Sequence, residues 1–142
     1  MCTNLSLLDR YGNVHSMAGL NWGYSNGHVC ENDAYIPIKA NVIRSNLTLF
    51  NPITENNIIY VTWDDGTEMT CLLEGSQIIN SVTYPKQISS YNDKSILGVY
   101  LRERLGVFHS PIVLEDLISY GRTDISVTKT SNTHYFFNFS AN

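Results

Sequence analysis

Between Asn21 and Asp33 the chain carries Asn21, Trp22, Tyr24, Ser25, Asn26, His28, Asn32 and Asp33, with glycines at 23 and 27 and almost no long aliphatic side chains. Amide side chains set a donor beside an acceptor, so they can pair in two-pronged fashion with a planar partner such as a base edge. Glycine permits φ > 0 and a close approach to another surface. The chemistry this pattern suits is recognition by directional hydrogen bonds. The same residue types also build ordinary surface turns, because Asn, Asp and Ser hydrogen-bond nearby backbone. A second polar set, Ser76, Gln77, Lys86, Gln87, Ser89, Ser90, Tyr91, Asn92 and Lys94, lies in a stretch of roughly twenty residues, a length that in compact domains signals function or hidden structure.

Signs of catalysis are poor. None of the four histidines has a lysine two residues on, so the phospholipase-D-type nuclease signature is missing. No Asp or Glu has one either, which removes the common metal-dependent nuclease motif. His28 and Cys30 fall short of the four ligands a zinc site needs. Asp64 and Asp65 are explained by a tight turn at Asp65-Gly66. The expectation is a chain with no catalytic residues, no metal and no cofactor.

With 142 residues, 43% hydrophobic and 15% charged, the chain reads as one globular domain, 1–142, that buries roughly 70% of its unfolded surface. It shows no apolar run of the ~20 residues a membrane helix needs and no secretory leader, and its three cysteines suit reduced thiols in a cytoplasm. The net charge of −4 is unusual for a nucleic-acid binder. Its distribution is uneven: Glu55, Asp64, Asp65, Glu68 and Glu74 fall in residues 55–74 without a Lys or Arg, and the rest is close to balance. Lys86, Lys94, Arg102, Arg104 and Arg122 are expected to supply a local positive field, with the acidic hairpin facing away.

The elements that must position the polar stretches are mostly strands. One is expected through Val14, Met17 and Leu20, and an extended segment returns at Ala34–Ile38. Ile58–Asp64 and Thr67–Leu73 flank Asp65-Gly66 as a hairpin, with Met69, Cys71 and Leu73 alternating against Glu68 and Thr70. Ile78–Tyr84 reads as an edge strand ended by Pro85. Ile125 and Val127, then Tyr135, Phe137 and Phe139, complete the set. Two short helices are expected. Ser95–Leu105 turns Leu97 and Leu101 inward and Arg102 and Glu103 outward, starts at Asp93 or Ser95 and ends at Gly106. Val113–Tyr120 turns Leu114, Leu117 and Ile118 inward. Leu20, Ile36, Val61, Trp63, Met69, Cys71, Leu97, Leu101, Leu117, Val127 and Phe137 form the expected core.

Four segments, in order from about Gly12 to Phe139, resemble the DNA-recognition domain of NgoFVII-type restriction endonucleases. They are Leu20-Asn-Trp-Gly23 with Ala34-Tyr-Ile-Pro-Ile38, Trp63-Asp-Asp-Gly66, Leu97-Gly-Val-Tyr-Leu-Arg-Glu-Arg-Leu-Gly106, and Tyr120-Gly-Arg-Thr-Asp-Ile125. That domain belongs with the plant B-three transcription-factor domain and the effector domain of EcoRII-like endonucleases. The resemblance implies a mainly β fold with two short helices, an open β-barrel of the DNA-binding pseudobarrel type. It implies sequence-specific binding of double-stranded DNA, as the target-recognition or effector domain of a type II restriction endonuclease in a bacterial cell. A nuclease catalytic domain would stand elsewhere in the same or a partner chain. In this family two arms grip the major groove like a wrench, and Asn21–Asp33 and Ser76–Lys94 match those positions. Arg122 takes the place of a phosphate clamp, although pairing with Asp124 or with a helix-end carbonyl explains it at least as well. The chain departs from the pattern where relatives carry arginines after Asn-Trp-Gly: Tyr24, Ser25, Asn26 and His28 stand there instead. Two rival readings remain, a carbohydrate-binding β-domain stacking sugars on Trp22 and Tyr24, and a small hydrolase.

Overall fold

Asp65 and Gly66 turn the chain as an Asp-Gly hairpin should: Gly66 takes φ +87°, and the Asp65 carboxylate accepts the Thr67 amide at 3.0 Å. In the computed structural model, which describes residues 2–28 and 30–141, this hairpin is the middle of a larger sheet. The strands are β1 (Cys2–Ser6), β2 (Ile36–Pro37), β3 (Ile58–Trp63), β4 (Glu68–Glu74), β5 (Gln77–Ile79), β6 (Val82–Tyr84), β7 (Gln87–Ser90), β8 (Asp124–Lys129) and β9 (His134–Asn138). Seven of them form one sheet in the order β1-β8-β9-β3-β4-β7-β2, and β5 pairs with β6 separately. Neighbours run antiparallel except β3 and β9, which are parallel with Tyr60 opposite His134. The two edges, β1 and β2, approach each other, and Lys39 Nζ donates to the Leu8 carbonyl across the seam. The result is a nearly closed, mainly β barrel.

Its interior is built by period-two alternation. Ile59, Val61 and Trp63 of β3 face the core with Met69, Cys71 and Leu73 of β4, and Ile125, Val127, Tyr135 and Phe137 extend it. Every residue expected in the core is buried. Each such aliphatic or aromatic side chain contributes roughly 1.5–3 kcal/mol by leaving water. Burial also pushes the Cys71 thiol up to about 12, so it stays protonated and unreactive.

Helices α1 (Ala40–Ser45), α2 (Ser95–Leu105) and α3 (Leu114–Tyr120) lie between the strands. Gly106 ends α2 and Gly121 ends α3, both at positive φ. Asp93 accepts the Ser95 amide at 3.0 Å at the start of α2.

Several expectations are corrected. Residues 14–18 form no strand, with bends at 16–18, and Gly19–Tyr24 is a 3₁₀ turn. The six-residue α1 buries Ile43 alone, too little to show a helical period in sequence. On α2, Leu97, Gly98, Leu101 and Arg102 are buried, so Arg102 faces inward, against expectation. On α3 Leu117 is buried but Ile118 is 61% exposed. The expected edge strand Ile78–Tyr84 is a hairpin, β5 and β6, turning at Asn80 and Ser81, both at positive φ. β7 then enters the main sheet between β4 and β2.

Candidate nucleic-acid interface

The first polar segment folds onto the body of the protein. Gly23 and Gly98 make this possible from either side of residues 30–33. A Cβ on Gly23 would fall 2.2 Å from the Glu31 carbonyl oxygen, and one on Gly98 would fall 1.7 Å from that of Asn32. Asn21 is fully buried. Its Nδ2 donates to the carbonyls of His15 (3.0 Å) and Ile112 (2.7 Å), and its Oδ1 accepts the Ile112 amide (2.7 Å). Arg102, 1% exposed, donates to the carbonyls of Val107 (3.2 Å) and Ser110 (2.7 Å) and lies 5.5 Å from the Tyr24 ring centre. Trp22 packs edge-on against His28 and Tyr35, and Tyr24 reaches Glu31. His28 Nε2 sits 2.7 Å from Asp33, and its Nδ1 lies 3.4 Å from Ser25 Oγ. Asn21 is therefore no surface reader. Trp22, Tyr24, Ser25, His28, Asn32 and Asp33 are part-buried, and Asn26 is exposed.

The second segment is likewise divided. Ser89 and Ser90 are buried, and so do not form the expected polar surface. Ser90 Oγ donates to the Asp93 carbonyl (2.6 Å) and accepts the Leu97 amide (3.0 Å). Glu74 gathers Lys94, Ser89 and Gln87 around its carboxylate. Burial works to raise its pKa, but hydrogen bonds from Lys94 and Ser89 outweigh that and hold it below the usual range. Gln77 donates to the carbonyls of Ile38 (2.9 Å) and Pro85 (2.8 Å). Ser76 and Lys86 are exposed beside this hairpin. Tyr91 and Asn92, also exposed, lie at the other end of β7, roughly 13 Å away along the strand. The two segments meet where Lys94 approaches Trp22 and its carbonyl accepts the Ala34 amide. Arg122 donates to Asp124 (3.0 Å), the Ser140 carbonyl (3.2 Å) and Ser126.

Of the five cations expected to supply a positive field, Lys86 alone is both exposed and outside an ion pair among the described residues. Lys94, Arg104 and Arg122 are in ion pairs, and Arg102 is buried. Arg104 grips Asp64 with both terminal nitrogens (2.7 and 2.8 Å), while Asp64 also accepts the Phe139 amide (2.7 Å). Burial acts to raise the Asp64 pKa, and these bonds overcome it, so the carboxyl titrates below its ordinary value. Lys129 donates to the Thr48 carbonyl and to Asn51. The other four of the nine basic residues, Arg10, Lys39, Arg44 and Lys86, have no carboxylate at ion-pair distance among the described residues.

Of these, Lys39 follows β2 in the chain, and the Lys86 carbonyl accepts the Ile38 amide beside it. Lys39 and Lys86 border one open cleft with Tyr35, Pro37, Ser76 and Gln77, about 710 Å³ in volume. On the other side of Tyr35 and Pro37 a smaller hollow of about 170 Å³ runs to Asp9 and His15. Arg44 is on α1, directly after β2. Sequence reasoning missed the exposed stretch Arg10, Tyr11, Asn13 and His15. Its signal was Asp9-Arg-Tyr-Gly-Asn13, a turn-forming run. The acidic Asp65 and Glu68 sit at the opposite end of β4 from the β5–β6 hairpin, roughly 20 Å away.

A nearly closed, mainly β barrel of this topology is a B3-like pseudobarrel. Over residues 1–131 the chain matches the family model of the NgoFVII C-terminal B3-like DNA-binding domain, and it belongs to that family. No curated protein matches it. Double-stranded DNA is the partner this membership indicates. Among the described residues no helix is long and apolar enough to cross a membrane.

Proposed function

We propose that this chain reads a short site in double-stranded DNA through two projections on either side of β2, and that cleavage is carried out by a nuclease domain elsewhere in the same or a partner chain. One projection is the exposed stretch from Arg10 to Met17. The other is the β5–β6 hairpin, a two-stranded ribbon of the kind that fits a major groove about 12 Å wide. Ile78 and Thr83 stand opposite each other on its outer side, with Asn80 and Ser81 at its tip. The observation that carries the reading is the open cleft beside β2 bordered by Lys39 and Lys86, with the acidic Asp65 and Glu68 at the far end of β4. Exposed charges are screened beyond about 8–10 Å, so the local field there is positive despite the net charge of −4.

Lys39 and Lys86 neutralise phosphates and set register, while groups on the projections meet base edges. Selection from randomised duplexes at two salt concentrations tests this. A discrete motif and affinity that falls with salt are expected. Lys86→Ala should weaken all duplexes about equally and lower the salt slope by roughly one. Failure to bind any duplex at low salt sinks the reading. The carbohydrate alternative loses its platform, because Trp22 and Tyr24 are occupied by His28, Tyr35 and Arg102.

A further inference from the structure

Arg10 is held in a position that the other outward cations do not share. Asp9 closes the turn beneath it. The Asp9 carboxylate accepts the amides of Tyr11 (2.9 Å) and Asn13 (3.1 Å), the Asp9 amide donates to the Asn13 carbonyl (2.7 Å), and the Gly12 amide donates to that of Asp9 (3.1 Å). Gly12 takes φ +79°, which this turn requires and a side chain would resist. The backbone presenting Arg10 and Tyr11 is therefore fixed, although both residues are exposed.

The side chains are paired with each other as well. The Arg10 guanidinium carbon lies 4.9 Å from the Tyr11 ring centre, and Nη2 donates to the Tyr11 hydroxyl at 2.7 Å. That bond uses one of the five N–H donors of a planar fork. Tyr11 itself is 74% exposed, so the pair stands clear of the barrel. Lys39 and Lys86 are point charges, and Arg44 has no comparable support among the described residues. An outward guanidinium presented on a capped turn, with free donors, matches guanine, whose O6 and N7 lie side by side in the major groove.

We propose that Arg10 is a specificity-determining residue that reads one guanine of the target through O6 and N7. This rests on the DNA-binding reading above. The test compares wild type, Arg10→Ala and Arg10→Lys. Selection by the wild type should return a motif with an invariant guanine. Replacing that guanine by 7-deazaguanine, which lacks the N7 acceptor, should weaken wild-type binding and leave Arg10→Ala unaffected. Arg10→Ala should lose roughly ten- to hundred-fold on the cognate site, little on random DNA, and keep its melting temperature. Arg10→Lys, which keeps the charge without the fork, should lose most of the guanine preference. If Arg10→Ala selects the same motif, or loses cognate and random duplexes equally, Arg10 does not read a base and the inference fails. If the wild type binds duplex but selects no motif, it fails too. Absence of any duplex binding by the wild type would instead sink the DNA-binding reading itself.

Discussion

Residues 9–17 and residues 19–33 belong to the same connection between β1 and β2, yet they are organised in opposite ways. The second part carries Leu-Asn-Trp-Gly and is pinned against α2 by Gly23 and Gly98, with Asn21 enclosed by Arg102 and the Ile112 backbone. The first part carries no element of the motif, and its residues 10–13 stand in solvent on an Asp9-capped turn, while Val14 packs on the core and the His15 carbonyl accepts Asn21 Nδ2. The same division holds elsewhere. Trp-Asp-Asp-Gly supplies Asp64 to Arg104 of the α2 motif, and Tyr-Gly-Arg-Thr-Asp pairs Arg122 with Asp124. Motif residues in this chain brace one another, whereas Arg10, Arg44 and Lys86 are exposed outside that bracing set and Lys39 is half-buried, donating to the Leu8 carbonyl.

Three substitutions sharpen or break this contrast. Gly98→Ala has the largest expected effect, because its Cβ would meet the Asn32 carbonyl oxygen and backbone must move. A loss of ~4 kcal/mol or more is expected, seen as a large drop in melting temperature. An unchanged melt would show that residues 19–33 are not clamped.

Asp64→Asn comes next. It leaves Arg104 uncompensated in a part-buried site, at a cost of about 3 kcal/mol near neutral pH. Because the folded-state pKa of Asp64 is depressed, its contribution is complete above the ordinary carboxylate pKa of ~4 and fades as pH falls through the lower folded value. Melting curves at neutral and acid pH should therefore differ most between wild type and variant at neutral pH. A gap that widens on acidification contradicts the assignment.

Arg122→Ala is the mildest. It should cost roughly 1–2 kcal/mol through lost hydrogen bonds and leave the salt dependence of DNA binding unchanged. A salt slope lower by about one would transfer Arg122 to the DNA contacts.

What was legible in the sequence was what alternation and turn chemistry encode locally. Met69, Cys71 and Leu73, the Asp65-Gly66 turn, and Leu97 with Leu101 before Gly106 all lie as expected. Contacts between distant segments were not legible. Arg102 reads as an outward helix residue until the carbonyls of Val107 and Ser110 and the side chain of Asn21 close around it. Ser89 and Ser90 read as polar surface until Glu74, Asp93 and the start of α2 take their hydroxyls. The Asn80–Ser81 turn lacks the glycine that usually marks its second position, so the hairpin passed as one strand. Arg10 went unnoticed because a lone cation in a turn has no period and no partner in sequence.

The central position of β9 has a consequence for how the protein comes into being. This strand fills the gap between β8 and β3, and β1 at the start of the chain lies opposite β8, with Cys2 beside Thr128. During synthesis the β3–β4 hairpin can form early, but Val61 and Trp63 have no neighbour on that flank until Tyr135 and Phe137 have left the ribosome. Sheets whose strands pair across such separations fold slowly, on the order of milliseconds to seconds. A nascent chain paused before His134 would display half a barrel with an open, apolar strand edge, a state that favours association with other chains over completion of its own fold.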